Sequence, residues 1–244
     1  MAVLRSAQLN PTSLNVLNIG LLSLELEGFE GGGLYTTSVS RFPDVRFMIS
    51  AAAASQFPPD SGIEIAFAGR SNAGKSSAIN AIVQRRALAR TSKTPGRTQL
   101  LNFFELGAGR RIVDLPGYGY ADVPDRERRK WAPLIEALRP RLSLQGLFLI
   151  VDSRRGVSAA DEDLIAWAEG LRVHVLLAKA DKLNRKEGNE VLRAATNMLS
   201  GGGATVQLFS AHEKTGVEGA QRVLQAWLSQ KNTPATSDEA TGAD

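Results

Sequence analysis

The sequence predicts an α/β fold, a mostly parallel six-stranded sheet with one antiparallel edge strand and helices on both faces. Three observations predict it. From Gly62 to Ser229, strand-length apolar stretches alternate with stretches of helical spacing. The first strand runs directly into Gly69-Arg70-Ser71-Asn72-Ala73-Gly74-Lys75-Ser76, which fits the phosphate-loop pattern G-x-x-x-x-G-K-[ST]. A single hairpin signal, the turn Gly107-Ala108-Gly109, supplies the antiparallel pair.

In order, Ile63 to Ala68 alternates and then turns apolar, as an inner strand does. The stretch from Ser77 to Val83 has helical spacing, and 87–99 is a polar loop holding Pro95-Gly96. Leu100 to Leu106 and Arg111 to Leu115 are the hairpin strands. Asp125 to Leu138 reads as a helix, with Pro124 near its start and Pro140 beyond its end. Leu147 to Val151, Val173 to Ala178 and Val206 to Phe209 read as strands; Ala159 to Glu169, Glu187 to Leu199 and Val217 to Ser229 as helices. With the phosphate loop after the first strand, this is the three-layer P-loop NTPase plan, whose ligands sit beyond the carboxyl ends of the strands.

Outside that alternation the chain reads differently. Residues 1–47 are expected to be a weakly ordered extension: Ser13 to Phe29 is Leu-rich, but Asn15, Asn18, Glu25 and Glu27 break it. It is a poor signal peptide, lacking a basic start and an uninterrupted apolar stretch. A start at Met48, just before a short leader over 48–61, is an open alternative. Residues 62–230 are expected to form the domain that holds the alternation, and 231–244 a polar, disordered tail. No cysteine is present, which excludes disulfides and thiolate metal sites and suits a reducing cytoplasm. Two histidines make a histidine metal centre improbable, and no apolar run reaches membrane-span length. The net charge of +4 divides into −1 over 1–47, −2 over 231–244 and about +7 between. That basic middle fits nucleic-acid binding, or simply solvated arginines on helix faces.

The chemistry is carried by five stretches. Backbone N–H groups of the phosphate loop can surround phosphate oxygens, aided by the dipole of the following helix. Lys75 is placed to reach the β- and γ-phosphates, and the Ser76 hydroxyl to reach Mg²⁺. Asp114-Leu115-Pro116-Gly117 ends a strand, so Asp114 can hold Mg²⁺ through water while the Gly117 amide faces a γ-phosphate. Thr98, in Thr94-Pro95-Gly96-Arg97-Thr98, can complete the Mg²⁺ shell while the γ-phosphate is present; the alternative is an ordinary surface loop. In Ala178-Lys179-Ala180-Asp181, the Asp181 carboxylate can accept from guanine's ring N–H and amine, a pair adenine lacks, and the Lys179 stem can lie over the base. Phe209-Ser210-Ala211 follows the last strand, where backbone N–H groups can meet the guanine oxygen.

Together these stretches resemble the translation-factor-related P-loop GTPases of the TrmE-Era-EngA-EngB-septin type, and more narrowly the EngB (YihA/YsxC) family. The matching text is Gly62 to Ser77, Ala89 to Gln99, and Asp114-Leu115-Pro116-Gly117-Tyr118-Gly119-Tyr120-Ala121; the likeness covers roughly 48–230. The resemblance implies a GTP- and GDP-binding site built from Gly69 through Ser77, Gly96-Arg97-Thr98-Gln99-Leu100, Asp114 through Gly117, Ala178 through Asp181, and Phe209 through Ala211. It implies catalysis by Lys75, Thr98 and Gly117, and Mg²⁺ at Ser76, Thr98 and, through water, Asp114. It also implies slow GTP hydrolysis, a role in assembly of the large ribosomal subunit with ribosomal RNA as partner, and a need in normal cell division and septation. A cytoplasmic monomer is expected.

One residue departs from the pattern. The family usually has Thr where this chain has Ala178, and losing that tie to the phosphate loop would weaken nucleotide binding by about 0.5–1.5 kcal/mol. Tyr118 stands where Ras-like enzymes place a water-orienting Gln. Slow intrinsic turnover is therefore expected, with help from a partner or from K⁺ bound through Asn72; the plainer alternative is that Asn72 only braces the loop. Arg85, Arg86, Arg90, Lys93 and Arg97 flank the first switch, and Arg126, Arg128, Arg129 and Lys130 the second, so RNA phosphates could sense the nucleotide state. Two other readings stay open: a metabolic P-loop kinase, and a non-hydrolysing GTP-binding scaffold in division.

Overall fold

The computed structural model describes residues 40–89, 100–118 and 125–229, the side chains of 125–131 aside. Its strands are β1 (Arg46–Ala51), β2 (Ile63–Gly69), β3 (Leu101–Glu105), β4 (Arg110–Asp114), β5 (Leu144–Asp152), β6 (Arg172–Ala178) and β7 (Thr205–Leu208). Its α-helices are α1 (Lys75–Ile82), α2 (Asp125–Leu138), α3 (Ala159–Trp167), α4 (Arg185–Leu199) and α5 (Val217–Ser229). The sheet order is β1-β3-β4-β2-β5-β6-β7. β3 is antiparallel to both its neighbours, while the pairs β2·β4, β2·β5, β5·β6 and β6·β7 are parallel.

The α/β plan is the predicted one, with two differences. The sheet has seven strands rather than six, because β1 pairs outside β3, and the antiparallel strand is therefore second from the edge. β1 runs through the boundary placed at 47/48. Phe42 and Val45 upstream of it are already buried in the core, and Arg46 pairs with Glu105 of β3. β1 eluded a pattern reading because it is an edge strand with little alternation: Phe47 and Met48 are both exposed, and the pairing slips between Phe47 and Ile49.

Strand periodicity divides the core between the two faces. Ile65 and Phe67 of β2, Phe148 and Ile150 of β5 and Leu176 of β6 pack under α1 and α5, through Ala78, Ile79, Ile82, Ala220, Leu224 and Leu228. Alternate residues Ala66, Ala68, Leu147, Leu149, Val175 and Leu177 pack under α2, α3 and α4. Phe67 stacks on Phe148 at 4.8 Å between ring centroids, in the sheet centre beneath the site.

At the opposite, amino end of the strands, Glu64 is fully buried. Arg111 Nε donates to Glu64 at 2.8 Å and Arg141 donates to both its oxygens at 2.8 Å. Arg141 also donates to Pro58 O at 2.9 Å, and Asp60 accepts from the backbone of Leu142 and Ser143. The leader is thereby fastened across the base of the sheet, leaving the carboxyl ends of the strands for function.

Candidate functional site

Four loops meet at the carboxyl ends of β2, β4, β6 and β7. The first is Gly69-Arg70-Ser71-Asn72-Ala73-Gly74. Its turn needs left-handed backbone at Asn72 (φ 65°) and at Gly74 (φ 109°), which caps α1. Such a φ at Gly74 is open to glycine and strained for any other residue. Lys75, Ser76 and Ser77 form the first turn of α1, with their N–H groups at the helix's positive end.

The second loop leaves β4 at Asp114, which is buried and paired with the Lys75 ammonium. Leu115-Pro116-Gly117 then runs beside the first loop. Ser71 N donates to Tyr118 O at 2.9 Å, and Arg70 bridges Tyr118. Close approach explains the glycine: a Cβ at 117 would lie 2.8 Å from Ser71 Oγ and 3.3 Å from Ser71 Cα. The Tyr118 hydroxyl turns to α3, where it donates to Asp161. Burial, then that bond to a carboxylate, pushes the phenol far above its ordinary value, so it is always protonated and committed as a donor. Asp161 in turn accepts from Ser158 N at 2.8 Å and Ser158 Oγ at 2.6 Å.

The third and fourth loops are laced together. Lys179 has φ 61°, and its ammonium donates to Asn72 O at 2.5 Å and to Asp152 at 2.9 Å. Ala180 N donates to Phe209 O at 3.1 Å. Ser210, fully buried, donates its hydroxyl to Asp181 at 2.7 Å. That bond first, against some burial and with help from Lys182, holds Asp181 below the usual carboxylate range. Asp181 is thus a reliable anion with its second oxygen paired to Lys182 at 3.1 Å. Ala211 packs on the core beside α5.

The structure brings most of the residues named from the sequence together. Gly69 through Ser77, Asp114 through Gly117, Ala178 through Asp181, and Phe209 through Ala211 converge on one end of the sheet, and Leu100 opens β3. Gly96, Arg97, Thr98 and Gln99 lie outside the described residues, as do Arg90, Lys93 and the side chains of Arg126, Arg128, Arg129 and Lys130. Three residues went unnoticed in the sequence: Asp152, Arg154 and Asp161. With Arg70, Asn72 and Lys179 they line a small pocket of about 80 Å³ beside the phosphate loop. Two signals pointed to them: a carboxylate closing the apolar strand that ends at Val151, and the helix-start pattern Ser-x-x-Asp at Ser158.

Donor chemistry at Ser76 and Asp114 is oxygen-only, which suits Mg²⁺. Among the described residues no group of three or more His, Cys, Asp or Glu side chains could hold a metal. That combination fits an ion shared with a ligand's phosphates better than one caged by protein.

A family model described as a 50S ribosome-binding GTPase matches residues 64–179. A probable GTP-binding protein EngB from an Azoarcus species is 52% identical over 193 residues, covering 77% of this chain and 92% of that protein. One from Tolumonas auensis is 50% identical over 210 residues, covering 84% and 99%. The crystal structure of a probable GTP-binding protein EngB superposes with a TM-score of 0.55 at 22% identity, covering 68% of this chain and 98% of that one.

Proposed function

Because the chain belongs to the EngB family of GTP-binding proteins, we propose that it is a slow, Mg²⁺-dependent GTPase switch acting in assembly of the large ribosomal subunit. The reaction is hydrolysis of GTP to GDP and phosphate: water attacks the γ-phosphorus as the bond to the β–γ bridging oxygen breaks. The amides of Gly74 to Ser77 and the Lys75 ammonium orient the phosphates and take up charge developing on the leaving oxygen. The Gly117 amide holds the γ-phosphate from the other side. Ser76 and Thr98, with Asp114 through water, would hold Mg²⁺, which supplies neutralisation of the phosphate charge.

The observation that carries the nucleotide reading is the Lys179 bond to Asn72 O, which joins the base-reading loop to the phosphate loop. Asp181 is then ionised and set by Ser210 to accept guanine's paired donors. Slowness follows from Tyr118. It occupies the position of a water-orienting side chain, and its hydroxyl is spent on Asp161. A partner, or K⁺ bound through Asn72, supplies the missing charge.

The switch acts as a cytoplasmic monomer, and normal division and septation depend on it. Among the described residues no helix is long and apolar enough to cross a membrane. Ribosomal RNA is met by the basic residues flanking the switches, of which Arg85 and Arg86 are exposed. Co-sedimentation with large-subunit precursor particles tests this. Binding should be stronger with a non-hydrolysable GTP analogue than with GDP and fall steeply with salt. Binding indifferent to both would refute the ribosomal role.

A further inference from the structure

The carboxyl end of β5 carries a charge that neither the phosphate loop nor the base-reading motif accounts for. Asp152 closes the strand and is buried. Arg154 grips both its oxygens, at 2.9 and 2.7 Å, and the Lys179 ammonium adds a third bond at 2.9 Å. Led by the Arg154 bond, these partners hold Asp152 well below the usual carboxylate range. It is a fixed anion.

Lys179 needs such an anchor. Its backbone sits in the left-handed region, which is strained for a residue with a Cβ. Its neighbour Ala178 is buried against the phosphate loop, 3.8 Å from where a Cβ on Gly74 would stand, and has no polar atom to offer. The Lys179 ammonium therefore lies between two acceptors, Asn72 O on the phosphate loop and Asp152 at the end of the central strand. Strand β5 is hydrogen-bonded to both β2 and β6, the strands that deliver those two loops. A tether at its end fixes both at once.

We propose that Asp152 is a positioning residue for nucleotide binding: it holds Lys179 across the phosphate loop and so sets the spacing between phosphate and base sites that Ala178 cannot set. This rests on the guanine-nucleotide reading above.

The test is equilibrium titration of the full chain with fluorescent GDP and a GTP analogue, with Mg²⁺. The variants are Asp152→Asn, Ala178→Thr and the double. Asp152→Asn should weaken GDP and GTP equally, by about tenfold, the usual scale for a charged hydrogen bond. Preference over ATP should persist, and single-turnover cleavage at saturating GTP should change by less than about twofold, since phosphate contacts are intact. Ala178→Thr should tighten the parent about twofold but restore most of the affinity of Asp152→Asn, because a hydroxyl at 178 supplies a second tie. A loss that threonine does not rescue, additive effects, or no loss at all would overturn the proposal. Should Asp152→Asn fail to fold, Asp152→Ser with and without Ala178→Thr carries the same test, with the same expected loss and rescue. A parent protein that binds neither GDP nor GTP would remove the nucleotide reading, and the tether with it. A parent that binds while Asp152→Asn binds equally well would remove the tether alone.

Discussion

Replacing Gly117 by alanine should separate hydrolysis from binding. The new Cβ would stand 2.8 Å from Ser71 Oγ, 3.3 Å from Ser71 Cα and 3.4 Å from Ser71 N. The hydroxyl can rotate away; the two backbone atoms cannot. The 115–118 segment must then retreat by a few tenths of an ångström, stretching the 2.9 Å bond from Ser71 N to Tyr118 O. Losing that bond costs about 1 kcal/mol, or a melting temperature about 2–4 °C lower in a domain of this size. The functional cost is larger, because the same retreat draws the Gly117 amide off the γ-phosphate. Removing one such preorganised donor outright slows reactions by about 10²–10³-fold, so a partial retreat should cost about tenfold or more in single-turnover cleavage. GDP affinity should stay within about twofold, since the retreat is taken up by the 115–118 segment and the Lys179–Asp181 loop is untouched. Adding Ser71→Ala removes the closest contact but neither backbone one. The double variant should therefore regain little of either the stability or the rate. Wild-type cleavage by Gly117→Ala, or a loss of GDP equal to that of GTP, would refute this account of the second switch.

Three further outcomes follow from the same geometry. Glu64→Gln leaves Arg111 and Arg141 without their shared buried anion and should destabilise the fold by about 3 kcal/mol, read as a lower midpoint in urea with nucleotide specificity unchanged. Burial lowers the His174 pKa below its ordinary 6.5, opposed by its Gln207 contact, so the unfolded chain binds the proton more readily. Stability should therefore fall as pH drops through about 6.5, and a His174→Gln variant should lose that slope in thermal melts. Ser210→Ala removes the leading cause of the lowered Asp181 pKa, so guanine-nucleotide binding should fail at a higher pH than in the parent when titrated into acid.

The helices α2 and α5 were legible to the residue, because proline and glycine punctuate them and the apolar spacing is regular. The loops after β2 and β6 were legible because each directly follows a buried apolar strand. β1 was not, since an edge strand with exposed Phe47 and Met48 carries no alternating face. The buried ion cluster at Glu64 carried no local signal, because its partners, Arg111 and Arg141, are 47 and 77 residues away. Asp152 and Asp161 were missed in part for the same reason: their contacts with Lys179 and Tyr118 span 27 and 43 residues, and the local signals at the end of β5 and at Ser158 name no partner.

The central claim is that Asp181, locked by Ser210 and tethered to the phosphate loop through Lys179, reads guanine. Competition titration of labelled GDP on the full chain against GTP, ATP and XTP, for the parent and Asp181→Asn, tests it most directly. The parent should release label to GTP and not to ATP or XTP. Asp181→Asn, whose amide offers one acceptor and one donor in place of two acceptors, should lose GTP and gain XTP, whose ring presents the matching carbonyl. If ATP competes with the parent as well as GTP does, the loops around Lys179 are not a guanine site, and the GTPase switch built on them falls.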